Sequence, residues 1–308
     1  MIFLVDHFNT AVDYSQFQKM EIVEIQKVSI PDFLELVLKY NITELSTAVK
    51  PYIFTYLFEN YKADKIIYLD PDILIFRPFT EVFSALDNKN IIITPHILSG
   101  VDDDKQPTDF HTLRGGVFNL GFLALSDYPQ VKGFLEWWTA RTVKYGYCRL
   151  EAGMFYDQLW MNYVPCLFEN YFILKHPGYN MANWNLHERA LSELSPGRFL
   201  INQQFPLVFF HYSGYRWDHP ENIGHYHTRF DFQNRPDLRR VFDMYREMLI
   251  QNNVAFFKTI SCAYYEQYKS HQDKLRREFE KSRPSLSSRI LDKIMFRVRK
   301  KLKGEATW

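Results

Sequence analysis

Asp70 and Asp72 flank a single proline at the end of an apolar run, Ile66-Ile67-Tyr68-Leu69. Proline fixes its own backbone torsion and biases the preceding residue toward extended geometry, so both carboxylates can leave one stiffened turn toward a common point. Two neighbouring anions repel unless positive charge lies between them, and a hard divalent cation with oxygen ligands supplies it. In an open α/β sheet, ligands gather at the carboxyl ends of strands, which is where this run leaves its acidic pair. The plain structural reading is a Pro-Asp turn with solvated carboxylates.

Three further segments carry residue types that would complete such a site. A second apolar run, Val208-Phe209-Phe210, delivers His211 to the polar turn Tyr212-Ser213-Gly214-Tyr215-Arg216. A neutral imidazole nitrogen of His211 would be a third metal ligand. Gly214 would let backbone approach an anion, and Arg216 would neutralise phosphate charge. Asn119 interrupts the apolar stretch Phe118-Asn119-Leu120-Gly121-Phe122, and an amide both donates and accepts, as a pocket that reads hydroxyl groups requires. Asp157-Gln158 stands at a helix start, where a carboxylate also suits the helix dipole. Taken singly, a strand-end histidine, a strand-end amide and an N-terminal cap are ordinary structural features.

Elsewhere the chemistry is thinner. Tyr179 to Arg189 concentrates Asn183, Trp184 and His187 in one loop, a mix that can stack on a sugar and bind its hydroxyls, or simply tie the loop to itself. Asp102-Asp103-Asp104 reads as an exposed acidic loop, and His225-Tyr226-His227 lacks an evident third metal ligand.

The elements that must position these residues alternate. Strands are expected at Glu21–Val28, Lys65–Leu69, Asn90–Thr94, Val117–Leu125, Tyr171–Leu174 and Leu207–Tyr212. Helices are expected at Pro31–Tyr40, at Thr43–Asn60 with an interruption near Pro51, at Val131–Tyr145 and at Gln158–Tyr163. Such alternation argues for a mixed α/β sheet with helices on its faces. From Pro236 onward the pattern is largely helical, which divides the chain into a body, 1–235, and a helical extension, 236–308, with a hinge near Ser282–Ser285.

A chain of 308 residues has ample core for one large or two ordinary domains. Its three cysteines share no metal-ligand spacing and fit reduced cytoplasmic thiols. No signal peptide or transmembrane run is evident, since Met1-Ile2-Phe3-Leu4-Val5 is short and meets Asp6. The net charge of +1 conceals an asymmetry: Lys269 to Lys303 holds 13 Lys/Arg against 4 Asp/Glu. Within 289–303, Ile290, Leu291, Ile294, Met295, Val298 and Leu302 recur at helical spacing among seven basic residues. That pattern suits a helix on an anionic membrane surface, and equally one docking on the body with a solvated basic face. No recognition motif for nucleic acid accompanies the charge.

Lys50-Pro51-Tyr52, Tyr68-Leu69-Asp70-Pro71-Asp72, Phe118-Asn119-Leu120-Gly121, Asp157-Gln158 and His211-Tyr212-Ser213-Gly214, in that order, resemble the nucleotide-sugar glycosyltransferases of family eight. This group has the GT-A fold and includes glycogenin and the lipopolysaccharide galactosyltransferases. The resemblance covers the body, 1–235, and implies a mixed, mostly parallel, Rossmann-like sheet flanked by helices, with a C-terminal helical extension. It further implies that Asp70, Asp72 and His211 hold Mn2+ (or Mg2+) against the diphosphate of a UDP-sugar. Gly214 would line the phosphates and Lys50 would reach the donor. Asn119 would hold the transferred sugar, with Asp157 and Gln158 as catalytic residues on the donor face. The implied reaction moves a hexose, with retention, to a glycan or lipid-linked acceptor. Outside the resemblance, the cysteines and the basic tail place the expected setting in the cytoplasm, with the inner membrane face as a resting place for 289–303. Chains of this group open with one more strand and helix, bearing part of the nucleoside pocket, and this sequence starts at the strand after that unit.

Two other classes compete. A non-catalytic sugar-nucleotide or glycan-binding relative would keep the same motifs with a weakened uridine site. A phosphatase of the haloacid dehalogenase type also places Asp-x-Asp after an apolar strand, but here Ile73-Leu74 follows the pair where a Thr or Val is expected.

Overall fold

The computed structural model describes residues 1–17 and 19–282. The proposed basic helix at 289–303 lies outside the described residues, as does most of the expected hinge after Ser282. The chain forms a mixed α/β structure.

Its central sheet runs in the order Lys65–Leu69, Phe118–Ser126, Ile91–Pro95, Tyr171–Ile173. Phe118–Ser126 is antiparallel to both neighbours, and Ile91–Pro95 pairs in parallel with Tyr171–Ile173. All nine residues of Phe118–Ser126 are buried, which is why this stretch reads as a continuous apolar run broken only by Asn119, Gly121 and Ser126. Ile92 pairs with Ala124 but Thr94 with Asn119, so the long strand bulges between those positions. The bulge switches the facing of side chains. Leu120, Leu123 and Leu125 pack with Phe134 and Trp138 of the helix Tyr128–Tyr145, whereas Phe122 and Ala124 pack with Phe79 and Phe209 on the other side.

A second sheet, Met181–Ala182, Phe209–His211 and Ile73–Ile75, abuts the first. Asp70-Pro71-Asp72 is the link between the two sheets, because the strand before it lies in one and the strand after it in the other. Parallel pairings do not dominate: Ile2–Leu4 with Ile22–Glu24, Met181–Ala182 with Phe209–His211, and the Ile91–Pro95 pair are parallel, while six described pairings are antiparallel. Residue patterning reports which faces are buried and is blind to strand direction.

Several expected boundaries shift. Glu21–Val28 is a short strand, Ile22–Glu24, followed by a 3-10 turn, Ile25–Val28, ending at Ser29 in the left-handed region. The helical stretch 42–60 breaks at Val49, and Pro51 sits in the first turn of Lys50–Asn60, where its missing N–H costs nothing. The C-terminal helices share cores with the body. Leu238, Val241 and Phe242 pack with Met181 and Phe210, and Tyr264 packs with Ile25 and Val37. Among the described residues, no helix is long and apolar enough to cross a membrane. Cys148, Cys166 and Cys262 form no disulfide.

Candidate functional site

The ends of three strands meet at one edge of the central sheet. Lys65–Leu69 and Ile91–Pro95 finish there, and Phe118–Ser126 begins there, so Asp70, His96 and Asn119 come together. The second sheet adds His211, whose strand partner is Ile73, directly after Asp72. This convergence lines a cavity of about 450 Å3 with Lys50, Asp70, Asp72, Asn119, Asp157, Gln158 and His211.

One ligand atom from each of Asp70, Asp72 and His211 lies within 4.8 Å of the others. The loop bearing the carboxylates is pinned at both ends: Asp70 N–H donates to Gly121 O at 2.8 Å, and Tyr212 N–H donates to Asp72 O at 2.8 Å. His211 is buried, and its Nδ1 lies 3.2 Å from Asn119 Oδ1, where it acts as donor to the amide oxygen. Its Nε2 faces Asp72 Oδ1 at 3.0 Å. Two acceptors at that distance repel unless a proton or a cation lies between them. Burial opposes ionisation of Asp72, but the adjacent His211 outweighs it and holds the carboxyl below its usual range. Two carboxylates and one imidazole are a donor set that fits a divalent cation.

Room for the histidine depends on Gly121. A Cβ there would stand 2.4 Å from His211 Cε1 and 2.9 Å from Asn119 Oδ1. Gly121→Ala is therefore expected to lose about 1–3 kcal/mol to overpacking and to displace the imidazole. Urea melts and the NMR ring signals of His211 check both, and a variant matching wild type in each would sink the claim.

Asn119 is held by four partners. Its Nδ2 donates to Gln158 Oε1 and contacts His96 Nε2, both at 3.3 Å, while Oδ1 accepts from His211 and from Gly121 N–H. Gln158 in turn accepts from Leu120 N–H at 2.9 Å and donates to Gly115 O at 2.7 Å. Beside them Lys50, on the first turn of its helix, is only 4% exposed, with Nζ 3.2 Å from Asp157 and 3.4 Å from Asp70. The ammonium also donates to Leu120 O and lies over the Tyr68 ring. Burial pushes Asp157 up to about 6, with Lys50 partly opposing it. Burial also works against the Lys50 charge, but its two carboxylates prevail and its pKa is raised.

Not every sequence candidate reaches the cavity wall. Trp184 does, edge-on to both His96 and His211 at 5.1 Å between ring centroids. Asn183 stands behind it, donating to Ser213 O at 2.7 Å, and His187 turns away to Ser99 O. Arg216 is half-exposed in an ion pair with Asp218, outside the cavity lining. Gly214 shapes the turn beneath the cavity, with φ +73° and space closed by Tyr226, which itself lines the wall.

His96 is the residue that sequence reasoning missed. Burial holds it down to about 4, so its ring is neutral near pH 7, and its buried Nδ1 makes no hydrogen bond within the protein. The signal was present: Ile91-Ile92-Ile93-Thr94-Pro95-His96 is an apolar strand ending in a polar residue, as are the runs before Asp70 and His211. Arg114, Thr112 and His111, from the short helix Asp109–Gly115, also line the cavity and had no sequence signal.

The site is thus a cavity at strand ends, with an acidic and imidazole donor set beside a buried ion-pair network. The chain is 26% identical over 238 residues to the uncharacterized protein YfnF of Bacillus subtilis (strain 168), an alignment spanning 75% of this chain and 77% of that protein. No protein-family model matches the chain.

Proposed function

We propose that this chain is a metal-dependent glycosyltransferase that moves a hexose from a UDP-sugar to a glycan or lipid-linked acceptor with retention of anomeric configuration. The observation that carries the reading is the convergence of Asp70, Asp72 and His211 beside the interlocked Asn119, Gln158, Asp157 and Lys50 at one cavity. A GT-A-type arrangement is part of the same proposal, supported by strand ends that deliver these groups to one edge.

A divalent cation, Mn2+ or Mg2+, held by the two carboxylates and His211 would offset the charge that gathers on a departing diphosphate. The C1–oxygen bond to UDP breaks, and the electron pair leaves with the diphosphate. The acceptor oxygen forms the new bond to C1, and its proton passes to the leaving phosphate oxygen. Asn119 lines the cavity with its amide engaged by four protein partners, so it would serve the donor by holding His96 and His211 in place, whereas His96 Nδ1, without a partner in the protein, suits a sugar hydroxyl. Asp157 is 2% exposed and tied to Lys50, which favours an electrostatic role on the donor face over direct attack. We place the protein in the cytoplasm, with 289–303 as its contact to an anionic membrane.

Melting with UDP, with and without Mn2+, tests the donor site, because a ligand that binds only the folded state raises the melting point. A metal-dependent shift followed by turnover of a UDP-hexose is the expected result. A shift without any turnover would instead support the sugar-nucleotide-binding relative, and no shift in a cooperatively melting protein would sink both.

Asp157 also sets a pH dependence. Turnover is expected to rise as pH climbs through about 6, where Asp157 loses its proton and faces Lys50 as a carboxylate. In Asp157→Asn that acid limb should flatten. A pH–rate profile with the same limb in the variant would show that another group titrates there.

A further inference from the structure

The helix Asp109–Gly115 has a cavity on each side. Its His111, Thr112, Arg114 and Gly115 line the candidate site, while Phe110, Thr112 and Leu113 line a separate groove of about 730 Å3 with Leu98 and Val117. Thr112 belongs to both, so this one element is the wall between the cavity that holds the charged and amide side chains and a groove lined mainly by apolar ones. Phe110 and Leu113 are 59% and 63% exposed, and Leu98 and Val117 are also exposed. Four large apolar side chains gathered on one exposed groove mark a place where an apolar ligand removes them from water.

The charge at the wall is equally specific. Arg114 lines the candidate-site cavity, and its guanidinium lies 5.1 Å from the centroid of the Phe110 ring, which lines the groove. Among the described residues, no carboxylate pairs with it. Asp109, the acid on this helix, is occupied as acceptor for Val101 N–H. A cation without a carboxylate partner, where the cavity of the candidate site meets an apolar groove, matches an amphiphile whose anionic group sits between sugar and hydrocarbon.

We propose that the groove holds the hydrocarbon chain of a phosphate-linked lipid acceptor, with the phosphate at Arg114 and the sugar end in the cavity. The acceptor role rests on the transferase reading, whereas the groove's affinity for an alkyl phosphate does not.

Titration calorimetry of the full chain with dodecyl phosphate, below its micelle concentration, tests this directly. Wild type should bind it at least tenfold more tightly than inorganic phosphate. Phe110→Ser combined with Leu113→Ser should weaken dodecyl phosphate at least tenfold. Both positions are exposed, so the metal-dependent UDP melting shift should persist in that variant. Arg114→Gln should weaken dodecyl phosphate several-fold while leaving neutral dodecyl maltoside unchanged. Undiminished binding in the double variant overturns the proposal. So does a loss of binding to phosphatidylglycerol vesicles with dodecyl phosphate unaffected, since that would make the groove a membrane contact. A missing UDP shift in wild type would fail the transferase reading alone and leave the groove to be judged by dodecyl phosphate.

Discussion

Asp70→Asn and Asp72→Asn are each expected to lower the proposed metal-dependent turnover of a UDP-hexose by about a thousandfold, the range seen when one electrostatic partner of a developing charge is lost. An amide keeps the shape of the carboxylate and removes its charge, so the comparison isolates electrostatics from packing. Asp72 should show the effect most directly, because its carboxylate faces His211 Nε2 at 3.0 Å. Asp70 has a second duty: it receives the Tyr68 hydroxyl at 2.5 Å and stands 3.4 Å from Lys50. Both variants should therefore also lose some stability near neutral pH, Asp72→Asn because His211 favours its ionised carboxyl. The decisive readouts are kcat/KM at saturating Mn2+ and the metal-dependent UDP melting shift. A variant within tenfold of wild type in both would remove that carboxylate from the proposed metal site.

Lys50→Met carries the largest expected loss of stability, roughly 3–5 kcal/mol, because it strands a buried carboxylate without its counter-charge. The methionine fills a similar volume, so the loss reports charge more than cavity. Asp157 is the stranded group, buried and 3.2 Å from the missing ammonium. Its folded pKa already lies above the unfolded value, at about 6. Its contribution to stability is therefore fully present below about pH 4 and is lost as pH rises through the folded value. Removing Lys50 raises that value further, so the deficit of the variant should be largest above pH 7 and shrink as Asp157 takes up a proton. A second substitution, Asp157→Leu, on the Lys50→Met background should recover much of the loss. Urea melts at pH 5 and pH 8 on both variants and the double form close the cycle. A deficit independent of pH, or no recovery in the double variant, would mean that Lys50 contributes by packing alone.

Much of this site was legible before the fold was known, and for an identifiable reason. Asp70, His96 and His211 each follow an apolar run, because a strand buried on its faces must be apolar until it reaches the cavity it serves. Asn119 stood out as an amide inside a wholly buried strand, where a polar group needs partners, and the structure supplies four. Lys50 was legible only as a position. Nothing in Lys50-Pro51-Tyr52 indicates that the ammonium is sealed between Asp157 and Asp70.

What the sequence by itself determined is the set of buried runs and the polar residues at their ends, since burial leaves a local imprint on residue type. Tertiary structure alone decided strand direction, the bulge of the long strand between Asn119 and Ala124, the room that Gly121 leaves for His211 beside Asn119, and the crossing of Asp70-Pro71-Asp72 from one sheet to the next. It also separated Trp184, on the cavity wall, from Asn183 behind it and His187 facing away. Those choices depend on contacts between residues far apart in the chain, and such contacts leave no periodic trace in any one segment.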